Sequence, residues 1–159
     1  MKYISVNRLS DFEFHDAEIV FDSFINNQLT DKVNYLNIHK NTEQNPFEID
    51  MEIESASITF EGFDIISYEQ GRAWQKDKNG KFYSNEPQII LSDDDAHCRF
   101  LEQLKTGITI FDFDIKEGKT YFIDAIAADP FFTVCFTFNG VVIAWDDYKK
   151  EAWYTSREG

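Results

Sequence analysis

The sequence predicts a mainly β fold (α+β), a curved antiparallel β-meander of about ten strands with one packed helix. Three observations lead there. Sixteen of the 159 residues are Phe, and aromatic side chains favour pleated, half-buried backbone. Short apolar stretches alternate with turn-forming Gly, Asn and Asp residues. Only Ser92–Gly107 combines helix-period apolar residues with a start and a stop signal.

The elements follow in order. Phe12–Ile25 is apolar at alternate positions for part of its length, and Asn26-Asn27 suits a tight turn because asparagine tolerates φ > 0. Leu29–His39 returns as a strand, and Asn41–Pro46 is a polar loop. Next, Phe47, Ile49, Met51 and Ile53 are apolar at odd positions, whereas Ala56, Ile58 and Phe60 are apolar at even ones. Strand side chains alternate with a period of two, so this change of phase flips the core face. Either a β-bulge near Glu54 or Ser55 restores it, or two strands meet at a kink. Gly62 ends that run and Phe63–Tyr68 follows as a strand. Asp77-Lys78-Asn79-Gly80 has the chemistry of a turn closed by a left-handed glycine, joining strands around Trp74 and Phe82. Gln88–Leu91 is a short apolar strand.

For the helix, Ser92 is the N-cap and Asp93, Asp94 and Asp95 set negative charge at the positive end of the dipole. Ala96, Phe100, Leu101 and Leu104 form its apolar stripe, and Gly107 its C-cap. Two hairpins complete the chain. Ile108–Ile115 and Thr120–Ala127 flank Lys116–Lys119. Phe131–Phe138 and Val141–Asp147 flank Asn139-Gly140, which predicts a type I′ turn with both residues at φ > 0. That turn sets Phe138 opposite Val141, Phe136 opposite Ile143 and Val134 opposite Trp145, all on one core face. The tail 148–159 extends the last strand.

No linker, repeat or low-complexity run divides the chain, so residues 1–159 are expected to form a single domain. The formal net charge of −14 disfavours nucleic acid and anionic membranes as partners, since both are bound through clustered Lys and Arg. The acidity serves either solubility or a basic protein partner. Two cysteines, Cys98 and Cys135, are too few for a secreted disulfide framework, and Cys135 is expected to be buried among Phe132, Val134 and Phe136. The first residues carry no apolar run of signal-peptide type, so a cytoplasmic location is expected.

Two candidate binding sites stand out. In the first, His15, Asp16 and Glu18 lie in Phe14-His15-Asp16-Ala17-Glu18. Strand alternation would set the two carboxylates on one side, able to share a proton or meet a cation, or simply to face water. The second is Arg72 and Trp74 beside Gly71, a pairing typical of contact hot spots, or else a core Trp with a surface Arg. Gln75–Glu86 matches a calcium loop only in part, because Gln75 stands where an Asp belongs and Pro87 obstructs an exit helix. It reads as a hairpin. The acids at Asp93–Asp95 are explained by capping. No catalytic residue, metal or cofactor is expected.

Phe14-His15-Asp16-Ala17-Glu18-Ile19, a polar hairpin, and then Ile58-Thr59-Phe60-Glu61-Gly62-Phe63 resemble the start of small uncharacterised bacterial proteins, among them immunity-type proteins of contact-dependent toxin systems. The resemblance covers the first third of the chain. It implies a cytoplasmic binding protein that neutralises a cognate toxin, and it assigns no catalytic residues. The expected function is a non-enzymatic protein-binding module. The alternative is a small-ligand protein with an aromatic-lined, apolar pocket.

Overall fold

The computed structural model describes residues 1–115 and 118–155. The first strands are β1 (Tyr3–Val6), β2 (Phe12–Glu13), β3 (Glu18–Ile25), β4 (Gln28–Asn34), β5 (Asn37–Ile38), β6 (Met51–Ile53), β7 (Ala56–Glu61) and β8 (Asp64–Gln70). Then come β9 (Gln75–Lys76), β10 (Phe82–Tyr83), β11 (Ile90–Ser92) and the helix α1 (Asp93–Thr106). The chain ends with β12 (Ile108–Ile115), β13 (Tyr121–Ile126), β14 (Phe132–Thr137), β15 (Gly140–Trp145) and β16 (Tyr148–Glu151).

Among the described residues, ten strands form one antiparallel sheet in the order β1-β15-β7-β4-β3-β12-β13-β14-β8-β11. A smaller sheet runs β16-β6-β5-β2, and β9-β10 is a separate hairpin. The large sheet curls strongly. β7 and β14 stand five places apart, about 24 Å in a flat sheet, yet the Phe60 and Phe136 rings on them are 5.7 Å apart. Helix α1 packs into the curl, burying Ala96, Phe100 and Leu104, with Phe100 against Phe63 and Phe132.

The local signals are realised. Asn26 and Asn27 both take positive φ, and Asp77 Oδ1 accepts the N–H groups of Asn79 and Lys81 in the β9–β10 turn. Ser92 sits at the helix N-cap without a side-chain cap bond, and the Gly107 N–H closes the helix on the Leu104 carbonyl. β12 and β13 pair as expected, although Lys116 and Glu117 of their turn lie outside the described residues, as do residues 156–159 of the tail. The phase change near Ser55 is a kink, not a bulge. Ser55 has φ 83°, and there the chain leaves the small sheet at β6 and enters the large one at β7. The tail does not extend β15: β16 pairs with β6. Cys135 alternates with Val134 and Phe136 and is half-buried on the opposite face, not in the core, and no disulfide joins it to Cys98.

The C-terminal hairpin does not exist. β14 pairs with β13 and β8, whereas β15 pairs with β1 and β7, and neither Asn139 nor Gly140 has positive φ. Thr137 lies opposite Asp64 and Gly140 opposite Glu61, so the register runs unbroken across the corner. Residues 56–70 and 132–145 thus form one long bent ribbon. The Asn139 N–H donates to the Glu61 carbonyl at 2.7 Å within the bend. Gly62, at φ 64°, makes the turn, and a Cβ there would lie 2.2 Å from Asn139 Nδ2. Val134, Phe136, Val141, Ile143 and Trp145 are nevertheless all core residues, because alternation along each strand survives the change of partner.

One carboxyl points into this core. Asp31 lies on β4 between Phe21 of β3 and Ile58 of β7, in line with Leu29 and Val33. It is 1% exposed, and its Oδ1 lacks a hydrogen-bond partner. Burial, and secondarily the Asp22 charge, raises its pKa well above the usual carboxylate range.

Two predictions follow from the corner and from this carboxyl. Gly62→Ala should lower stability by about 1 kcal/mol or more, from its positive φ. Gly140→Ala, at ordinary φ, should cost less in the same urea titration. Folded Asp31 keeps a proton that the unfolded chain releases near pH ~3.9. Its contribution is therefore full below that pH and is lost as pH rises toward the folded pKa. The Tm advantage of Asp31→Asn over the parent should grow as pH rises above about 4, and a pH-independent difference would contradict a buried proton.

Candidate functional site

The site-like features gather around the middle of β12. Its register against β13 shifts between Ile110 and Asp112, a bulge that sets Phe111 outside the regular ladder. The Phe111 ring is 37% exposed and stacks on Phe131, itself 42% exposed, with centroids 5.7 Å apart and planes at 23°. Phe131 precedes β14. Its neighbour Phe132 enters the core and stacks on Tyr68, so Phe131 faces out.

A polar network behind the ridge fixes this segment. The Tyr68 hydroxyl donates to Asp129 Oδ2 at 2.5 Å, and Arg99 of α1 donates to both oxygens of that carboxylate at 3.1 and 3.3 Å. The Asp129 N–H donates to Gln103 Oε1 at 2.9 Å. Burial and then the bond to Asp129 push the Tyr68 phenol far up, and the Asp129 hydrogen bond raises Arg99. Both therefore stay in their donor forms, and the Arg–carboxylate fork couples the helix to the segment before β14.

On one flank of the ridge, the Gly71 N–H donates to the Phe131 carbonyl at 2.6 Å. A Cβ at Gly71 would lie 2.5 Å from that oxygen, so the close approach needs glycine. It brings Arg72 and Trp74 beside Phe131 around a hollow of about 390 Å³. The Arg72 guanidinium carbon sits 4.5 Å from the Trp74 ring centroid, and Trp74 is 56% exposed. It is not a core Trp.

On the other flank, His15 Nδ1 donates to the Phe111 carbonyl at 2.7 Å, and its Nε2 lies 3.7 Å from Asp16 Oδ1. His15 lines a cleft of about 530 Å³ between residues 7–15 and β12. The segment around it is a turn, not a strand: β2 ends at Glu13, β3 begins at Glu18, and Asp16 has φ 68°. Strand alternation therefore does not set Asp16 beside Glu18. Glu18 pairs into the sheet between Asn34 and Thr109. The two candidate groups, read separately in the sequence, thus flank one aromatic ridge.

No protein-family model, curated protein or solved structure matches this chain. Among the described residues, no three His, Cys, Asp or Glu side chains converge as metal ligands, and no helix is long and apolar enough to cross a membrane. The Gln75–Glu86 segment spends its acids internally. Asp77 closes the turn and Glu86 Oε2 accepts the Ala73 N–H.

Sequence reasoning missed Phe111, Phe131 and the cleft walls. The signal was the adjacent pair Ile110-Phe111, a second break of alternation like that at Ser55. Asp129→Ala should destabilise the fold by about 1–3 kcal/mol, because it strands the Tyr68 hydroxyl and the Arg99 fork. Trp74→Ala should stay within about 0.5 kcal/mol of the parent. Chemical denaturation separates the two.

Proposed function

We propose that this chain is a non-enzymatic, cytoplasmic protein-binding module, in its sharpest form an immunity-like protein that neutralises a basic toxin. The observation that carries the reading is the exposed ridge of Phe111, Phe131, Trp74 and Arg72. Aromatic and Arg side chains dominate binding hot spots, and a rigid network behind Phe131 pre-organises them.

The charge beside the ridge supports a basic partner. On the outer face Asp112 lies directly opposite Asp124, Asp124 opposite Thr133, and Thr133 opposite Glu69. Like charges paired across strands destabilise a sheet. The Thr133 hydroxyl donates to Asp124, but it brings no positive charge. Lys or Arg from a partner would relieve the repulsion, and the net charge of −14 would steer that partner in. The resemblance of the first third of the chain to immunity-type proteins points the same way.

The cleft lined by His15 favours a second reading. Its volume suits a small molecule, and Phe12, Phe14, Phe113 and Tyr121 line it, so an apolar ligand is the alternative.

Immobilised protein should retain a basic partner at low salt and release it at high salt, with the partner's toxicity suppressed by the parent in a growth assay. The Trp74→Ala/Phe131→Ala double variant should lose retention while keeping its Tm. Equal retention by the double variant would sink the ridge as the contact surface. An apolar ligand that raises Tm, with no partner retained, would favour the second reading.

A further inference from the structure

We infer that the cleft beside His15 is a cation-recognising subsite that takes an arginine or lysine side chain projected by the bound partner. The inference rests on the partner-binding reading and names the chemistry of one anchor.

The cleft walls are aromatic in series. Phe12 meets Phe14 at 6.5 Å between centroids, Phe14 meets Phe113 at 4.8 Å, and Phe113 meets Tyr121 edge-on at 6.4 Å. Tyr121 stacks on Phe138 at 4.4 Å. That contact carries the rings into an adjoining hollow, which shares Asn7, Leu9 and Tyr121 with the cleft. Glu13, Asp112 and Asp114 stand around the cleft, and among the described residues neither Lys nor Arg lines it. Lys119 lines the adjoining hollow.

Ring faces are the negative ends of quadrupoles, so they act with the same sign as the carboxylates. A neutral apolar occupant would use the rings alone, and both features would oppose an anion. A cation on an aliphatic stem uses both, because its methylenes cover the half-buried Phe113 and Tyr121 rings while its charge stays near the acidic rim. The rim is open to solvent at Asp112, Asp114 and Ile115. The cleft also touches the ridge. His15 holds the Phe111 carbonyl, and the Phe111 ring stacks on Phe131. A partner seated on that pair can reach the cleft with one side chain.

The test is an NMR titration of the isotope-labelled chain with N-acetyl-arginine amide, N-acetyl-lysine amide and the neutral N-acetyl-norleucine amide. The two cations should shift the ring resonances of Phe14, Phe113, Tyr121 and His15. They should bind about tenfold tighter than norleucine amide at low salt, with the gap closing as salt rises. Asp112→Asn/Asp114→Asn should narrow the gap while leaving the folded spectrum intact. Equal shifts by all three probes, or shifts by none, would overturn the inference. Loss of the partner by the ridge variant with unmoved cleft resonances would leave the ridge standing and remove the subsite. Cation binding in the cleft with partner capture indifferent to the ridge variant would do the reverse.

Discussion

The architecture turns on the bend where the Asn139 N–H meets the Glu61 carbonyl beside Gly62. The register is the same on both sides of that corner, so the ribbon of residues 56–70 and 132–145 passes from one part of the sheet to the other in step. Unpaired buried N–H and C=O groups are costly, and at the corner the Asn139 N–H is held by the Glu61 carbonyl and the Phe63 N–H by the Asn27 carbonyl. It also forces β7 and β14 to face each other across the core, which is why Phe60 packs on Phe136 and Phe63 on Phe100. Were β14 and β15 to fold back on each other, each half of the sheet would keep its apolar face but lose the opposing one.

The curl also creates the aromatic ridge and the cleft. β3 pairs with β12 only through Ile108 and Thr109. Beyond them the turn around Asp16 takes over, with its N–H on the Ile110 carbonyl, and residues 7–15 cross in front of β12 to leave the cleft. On the far side, the Tyr68–Asp129–Arg99 network ties the entrance of β14 to the helix, so the outward ring of Phe131 rests on the same support as the inward ring of Phe132. The ridge is anchored through its neighbour in sequence, which is core.

What the sequence disclosed follows from the range of the forces involved. The Asn26-Asn27 turn, the Asp77 turn and the helix from Asp93 to Thr106 depend on groups within a few residues of one another, and all are legible. The core faces of β14 and β15 are legible for the same reason, since alternation is local. Their partner strands are not. Asn139-Gly140 carries the letters of a two-residue turn, but the positive φ is spent at Gly62, distant in sequence and adjacent in space. The candidate residues divide in the same way. His15, Arg72 and Trp74 are recognisable by type, whereas their convergence on Phe111 and Phe131 depends on a bulge and on a glycine contact between distant segments. Glu18 illustrates the cost of assuming a strand through residue 16, where the backbone is left-handed.

The bent ribbon has a consequence for how the chain assembles. Its partners lie far apart in sequence: Gln70 pairs with Phe132, Ala56 with Trp145, and β1 joins through Ser5 and Ile143. Such contacts repay the entropy of closing the chain only after most of it has been ordered, so high contact order slows folding. Local hairpins such as β3–β4 and β12–β13 can form early, but each would wait with an open edge and an uncovered apolar face. Until β14 and β15 arrive, the growing chain presents unpaired strands rich in Phe and Ile, the kind of surface that associates with other unfinished chains. The high acidic charge then acts as mutual repulsion between chains during that interval.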